Sequence, residues 1–259
     1  MSSKDSTQRT LIVALLLCVA CSILVSSAAV ILKPMQDTNR ILDRNKNILS
    51  AAGLYDESLH SNADVADLFA QFTPRIVDLG EGRLLDGDEV TDLGINIATY
   101  DQRLVINNPD YAETIPDEQD VADIRRRVTY PMIYVMEQGG ELDTIVLPVN
   151  GYGLWGIMYG FLALEGDANT VKGLAFYEMK ETPGLGAEVS NPNWRALWPG
   201  KRIYDDSGTV ALNVGRGSAG EHQVDGLAGA TLTTRGVDNL IQYWLGADGY
   251  GPLLETLRN

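Results

Sequence analysis

The residues with the clearest chemical potential stand together near the end of the chain, in the run Asp225-Gly226-Leu227-Ala228-Gly229-Ala230-Thr231-Leu232-Thr233-Thr234. Gly226, Ala228, Gly229 and Ala230 carry little or no side chain, so backbone can approach a ligand closely. Beyond them Val237, Leu240, Ile241, Trp244 and Leu245 recur at steps of three and four, the stripe of an amphipathic helix. Thr231 thus falls near a helix N-terminus, where free N–H groups and the macrodipole favour an anion such as a phosphate. By local pattern alone, Thr231 or Thr233 could equally be a plain N-cap with nothing bound.

Two further stretches are rich in glycine. Gly151-Tyr152-Gly153-Leu154-Trp155-Gly156 opens a strand-like run and leaves room for something planar or for another backbone. It spells Gly-x-Gly-x-x-Gly, but it precedes a strand instead of opening a helix, so it is not a dinucleotide fingerprint. Glu181-Thr182-Pro183-Gly184-Leu185-Gly186 breaks the chain after a strand, Pro183 setting φ and the glycines free to take positive φ. No acid–base constellation accompanies these loops, and no metal-ligand cluster is visible.

Taken together the three stretches resemble the FMN-binding domain family. The family's motif Asp-x-x-[Ser/Thr]-Gly-Ala-Thr is met by Asp225, Gly229, Ala230 and Thr231, with Ala228 where a Ser or Thr is usual. The resemblance implies FMN bound covalently to Thr231 through a phosphoester, with Thr233 on the phosphate. It further implies Thr182, Gly184, Leu185 and Gly186 against the isoalloxazine ring, and Leu154 and Trp155 on another side. More narrowly, the chain resembles the C-type members of Na⁺-translocating NADH:quinone oxidoreductases. The G-type members of Rnf complexes share the anchor and both loops but are shorter ahead of Thr182, and the long segment from Asp56 to Val149 favours the former. The resemblance implies an electron relay from an intramembrane iron–sulfur centre to the FMN of the B-type member, alongside the A, D, E and F members. An FAD-dependent FMN transferase would install the flavin. The competing class is a membrane-anchored binding protein without flavin.

Composition narrows the setting. Thirty-five acidic against 20 basic residues give a net charge of -15, which excludes a nucleic-acid partner because nothing neutralises a phosphate backbone. The cysteines, Cys18 and Cys21, both lie in the first apolar run, so no disulfide framework serves the rest of the chain. Three residues apart, they share a helix face and read as small packing residues. His60 and His222 have no evident partners and read as surface or capping residues, although His222 is near Asp225 in sequence.

The elements that must position these loops follow from periodicity. Leu11 to Leu32 is 22 residues without a charge, and a helix of that length spans roughly 33 Å, enough for a bilayer. It exceeds the ~7–15 residue core of a signal peptide, so the segment reads as a single-pass anchor in contact with membrane lipid. Lys4 and Arg9 precede it, while Lys33, Arg40, Arg44 and Lys46 follow. Charge alone does not orient it; the resemblance implies a cytoplasmic N-terminus and a periplasmic domain at a bacterial inner membrane. The expected organisation is residues 1–10 cytoplasmic, 11–33 transmembrane, 34–55 a helical stalk and 56–259 the FMN-binding domain.

Within the last segment the patterning predicts an α+β fold, an antiparallel sheet with flanking helices. A short helix is expected over Val65 to Phe72, strands at Arg75 to Leu79 and Ile95 to Tyr100, and a surface insertion over Asn107 to Arg127 with a helix at Val121 to Arg126. Met132 to Met136 and Leu142 to Pro148 read as a hairpin turning at Gly139-Gly140, and Trp155 to Leu164 and Val171 to Met179 as another around Glu165-Gly166-Asp167.

Overall fold

A computed structural model describes residues 7–217 and 220–258 of the chain. They form two units, Met1–Asp43 and Arg44–Asn259. Helix α1 (Thr7–Ala51) begins in the first and ends in the second. Its apolar stretch has a mean hydropathy of 2.7 and is the one helix among the described residues long and apolar enough to cross a membrane. Pro34 lies inside α1 without ending it. The helix stops at Ala51, before residue 55, because Gly53 takes a positive φ of 73°. Gly53 N–H then donates to the Ser50 carbonyl and Leu54 N–H to that of Leu49, the paired bonds of a Schellman cap.

The second unit starts at Arg44 and includes the last turn of α1 in its core: Ile48, Leu49 and Ala51 are fully buried. In chain order there follow α2 (Asp64–Phe69), β1 (Thr73–Asp78), β2 (Arg83–Leu84), α3 (Gly87–Asp92), α4 (Gln102–Val105), β3 (Ala112–Thr114), β4 (Arg126–Val128), β5 (Met132–Gln138), β6 (Glu141–Tyr152), β7 (Ile157–Glu165) and β8 (Val171–Glu178). After a 3-10 turn (Gly186–Ser190) come α5 (Pro192–Arg195), β9 (Asn213–Gly215), β10 (Gln223–Asp225), α6 (Thr231–Leu245) and α7 (Gly251–Arg258). Six strands form one sheet in the order β2-β1-β5-β6-β7-β8, antiparallel throughout.

The hairpin at Gly139-Gly140 is present, both glycines at positive φ. β6 runs on through Pro148 to Tyr152 and pairs along its length with β7. A proline is tolerated there because the pairing of β5 stops at Val146, so no ladder partner waits for the missing N–H; the Pro148 carbonyl takes the Tyr250 hydroxyl instead, at 3.0 Å. Gly151 and Tyr152 therefore end β6, and residues 153–156 are the turn into β7, not the start of a strand.

Two local expectations are overturned. Ile95 to Tyr100 is a turn, not a strand. Gly94 (φ 70°) ends α3, and Asn96 organises the next residues, its side-chain oxygen accepting from Ala98 N–H and its carbonyl from Tyr100 N–H. Val121 to Arg126 is not a helix either. Asp123 and Arg125 have positive φ, and the Asp120 carboxylate accepts from the N–H groups of Ile124 and Arg125, bonds that replace a helical ladder.

Helix α6 supplies the element that matters most for the loops. Val237, Leu240, Ile241, Trp244 and Leu245 are buried on the sheet with Leu147, Val149, Met158 and Leu162, each contributing roughly 1.5–3 kcal/mol of transfer free energy. Its first turns lie close to β6 and the turn after it, because a Cβ on Gly236 would strike the Tyr152 carbonyl and one on Gly151 would come within 2.8 Å of Leu240 Cβ. The start of α6 is thereby pinned beside the β6–β7 turn.

Candidate functional site

Three loops meet at the N-terminus of α6. The first is the β6–β7 turn, closed by Gly153 N–H on the Gly156 carbonyl at 2.9 Å. It holds Leu154 and Trp155 outward, 40% and 61% exposed. The second begins at Glu181. Pro183 followed by Gly184 at φ 74° gives the backbone of a tight turn, with Leu185 N–H donating to the Thr182 carbonyl at 3.1 Å. Leu185, 46% exposed, caps it. Trp155 Nε1 donates to Thr182 Oγ1 at 3.2 Å, joining the two loops at their rims.

The third loop runs from Asp225 to Thr234. It is stiffened from within, since Leu227 N–H donates to Thr234 Oγ1 at 3.0 Å, and anchored from outside, since the Asp225 carbonyl accepts from Trp194 Nε1 at 2.8 Å. The parallel pairing of β9 with β10, an unexpected feature, delivers Asp225 to the start of this loop. Gly229 has φ 78°, and the place of its absent Cβ lies 3.5 Å from Leu185 Cδ2, so the second loop rests over the third.

Thr231 is the first residue of α6 and is exposed; Ala230 occupies the cap position without a side-chain bond. The N–H groups of the opening turn have no intrahelical acceptor and point past Thr231. Thr233, in contrast, is 1% exposed, and its hydroxyl donates to Glu181 Oε2. The Thr233 hydroxyl is thus engaged on the side of α6 away from Thr231: two residues along a helix is about half a turn, and that side faces inward.

Glu181 is the residue that sequence patterning passes over. It is 7% exposed, and its Oε1 accepts from Leu154 N–H at 2.9 Å and Trp155 N–H at 3.0 Å. Its only signal in the sequence is its place immediately before Thr182 in an acid-rich chain. Trp194 is likewise invisible there, because its bond to Asp225 spans 31 residues. On the far side of the α6 start, Asp238 accepts from Val214 N–H at 2.7 Å, and burial raises its pKa. His222 is tied to the Arg202 carbonyl at 2.7 Å and supports the β9 region.

An exposed aromatic and aliphatic rim, Leu154, Trp155 and Leu185, beside a helix N-terminus bearing an open hydroxyl, suits a flat apolar ring carrying an anionic phosphate arm. That is the outline of FMN. The α+β fold and these loops define an FMN-binding domain, and the FMN-binding domain family matches residues 153–246.

Relatives extend the likeness over the whole chain. The Na(+)-translocating NADH-quinone reductase C-type polypeptide (NqrC) of Pseudomonas aeruginosa is 47% identical over 265 residues, covering 100% of this chain and 98% of the relative. Its counterpart from Haemophilus ducreyi is 46% identical over 260 residues, covering 99% and 96%. The crystal structure of Shewanella oneidensis NqrC superposes with a TM-score of 0.72 at 32% identity, over 83% of this chain and 97% of that one. The chain belongs to the NqrC family, a constituent of the Na(+)-translocating NADH-quinone reductase complex.

Proposed function

We propose that this chain is the electron-relay subunit of a Na⁺-translocating NADH:quinone oxidoreductase, with FMN carried covalently on Thr231 through a phosphoester. The observation that carries the reading is Thr231 itself, an exposed residue at the first position of α6, next to the exposed apolar rim of Leu154, Trp155 and Leu185. The Asp225 to Thr231 loop is the segment a flavin transferase would grip. FMN, when bound, supplies reversible electron storage.

The chain's own residues bind, orient and shield. The N–H groups of Thr231, Leu232 and Thr233 face the phosphoryl end, where the helix macrodipole favours negative charge. Leu185 and Trp155 exclude water from the ring while one edge stays open, which electron transfer requires. Gly229 keeps backbone clear of the bound group, and Thr182 holds the Trp155 indole in place at 3.2 Å. A covalent link keeps the carrier from dissociating into a large aqueous compartment.

Residues 11–33 serve as the membrane span and 1–10 as a cytoplasmic tail, with α1 continuing through 34–51 into the periplasmic domain. Electrons arrive from an intramembrane iron–sulfur centre and leave to the FMN of the B-type member, with the A, D, E and F members as the other partners. Expression beside a flavin transferase, followed by intact mass, in-gel fluorescence of the denatured chain and peptide mapping, tests the core of this reading. The expected product is one FMN less water on the peptide containing Thr231. An unmodified chain from a competent host overturns it, and protease protection of the domain in intact spheroplasts would overturn the orientation.

A further inference from the structure

We propose that Glu181 is a positioning residue of the flavin site, its single carboxylate holding the β6–β7 turn, the loop at residues 182–186 and the first turn of α6 in one register. Glu181 is the buried acidic side chain among the described residues, the other buried polar groups being Thr144, Asn169, Thr233 and Thr234. Burying a carboxylate is costly unless donors surround it. Here its two oxygens reach two different parts of the site: Oε1 takes Leu154 N–H and Trp155 N–H of the β6–β7 turn, and Oε2 takes the Thr233 hydroxyl of α6.

The glycines of the neighbouring motifs make room for it. A Cβ on Gly153 would lie 2.5 Å from Glu181 Oε1, and one on Gly186 would run into both Glu181 Oε2 and Thr233 Oγ1. Gly153 and Gly186 are therefore small because the carboxylate sits between them, not only because their turns need freedom. The amides it holds belong to the two residues, Leu154 and Trp155, whose side chains form the exposed rim. Their orientation is thus set before any ligand arrives, a preorganisation that lowers the cost of binding.

The redox consequence rests on the FMN reading; the structural part does not. A buried acceptor-only group beneath the rim disfavours added negative charge nearby, so removing its charge at constant shape raises the potential of a bound flavin. Glu181→Gln keeps the shape. Its oxygen can face the two amides and its NH₂ the Thr233 oxygen, whose proton turns to a helix carbonyl. Glu181→Asp keeps the acid but is one methylene short of spanning all three partners.

The test compares full-length wild type with Glu181→Ala, Glu181→Asp and Glu181→Gln, each expressed with and without the flavin transferase. In the unmodified chains, exchange of the Leu154 and Trp155 amides should be at least tenfold faster in the alanine and aspartate variants, with β7 core amides unchanged. In the modified chains, Glu181→Gln should retain amide protection and flavin while its potential rises by the equivalent of about tenfold in the one-electron equilibrium, about 59 mV. Unchanged exchange of the Leu154 and Trp155 amides in the aspartate variant, its fold checked by the β7 core amides, overturns the tie. An unmoved potential in the glutamine variant overturns the electrostatic part. A wild-type chain without flavin overturns the FMN reading and that electrostatic part with it, while the exchange comparison still decides the tie.

Discussion

Three threonines sit within four residues at the start of α6, and their surroundings give them different chemistry. Thr231 is exposed, Thr233 donates to Glu181, and Thr234 accepts from Leu227 N–H. Thr231→Val should therefore yield a folded, colourless chain with a melting temperature close to that of the wild type. Flavin retained on Thr233 or Thr234 in that variant would contradict the geometry. Thr233→Val is expected to do the reverse, leaving Thr231 in place but Glu181 Oε2 unpaired in a buried site. The cost of such an orphaned acceptor is about 1–3 kcal/mol, to be read as a lowered denaturant midpoint at constant slope. The family resemblance points to Thr231, but the spelling of a motif cannot rank its neighbours. Ranking needs the helix phase and the position of a carboxylate 52 residues away in sequence.

At the scale of elements, short local signals are readable where the chemistry is local. The Gly139-Gly140 hairpin is an example, since both positive φ values are intrinsic to glycine. The strand expected over Ile95 to Tyr100 fails because the Asn96 turn that follows Gly94 outweighs the β-branched residues around it. Helix α3 shows how much a few side chains can do. Asp86 accepts from Asp88 N–H and Glu89 N–H, and the Glu89 carboxylate accepts in turn from Asp86 N–H while pairing with Arg83. Bonds from Arg83 and then from Asp86 N–H lower the Glu89 pKa from its ordinary 4.5 to about 2. A depressed folded-state value means the stabilisation is present above about 4.5 and is lost as pH falls through about 2. Exchange of the α3 amides should accordingly quicken between those limits in wild type, and Glu89→Gln should flatten the dependence. A pH response that survives in Glu89→Gln would move its origin elsewhere.

For the whole molecule, the division at Arg44 carries a practical consequence. A chain beginning at Arg44 keeps Ile48, Leu49 and the Arg195 bond to Ser50 Oγ at 2.8 Å, and should be soluble and cooperatively folded. A chain beginning at Gly53 loses two large side chains from the core, each worth roughly 2–5 kcal/mol, together with the Ser50 partner of the half-buried Arg195 guanidinium, whose pKa burial lowers. It should melt far lower or fail to fold; equal melting temperatures for the two would show that the end of α1 is dispensable. Sequence by itself determined the apolar span, the sheet hairpins, the α6 stripe and the small-residue run that ends at Thr231. Each of these rests on a period of two or 3.6 residues or on a contiguous motif, and so needs no long-range information. Only the tertiary structure decided that Glu181 joins the loops, that Trp194 anchors Asp225 and that the helix end is core. Those roles depend on contacts between residues 26 to 145 positions apart, whose pairing is set by how the sheet and α6 pack rather than by any local pattern.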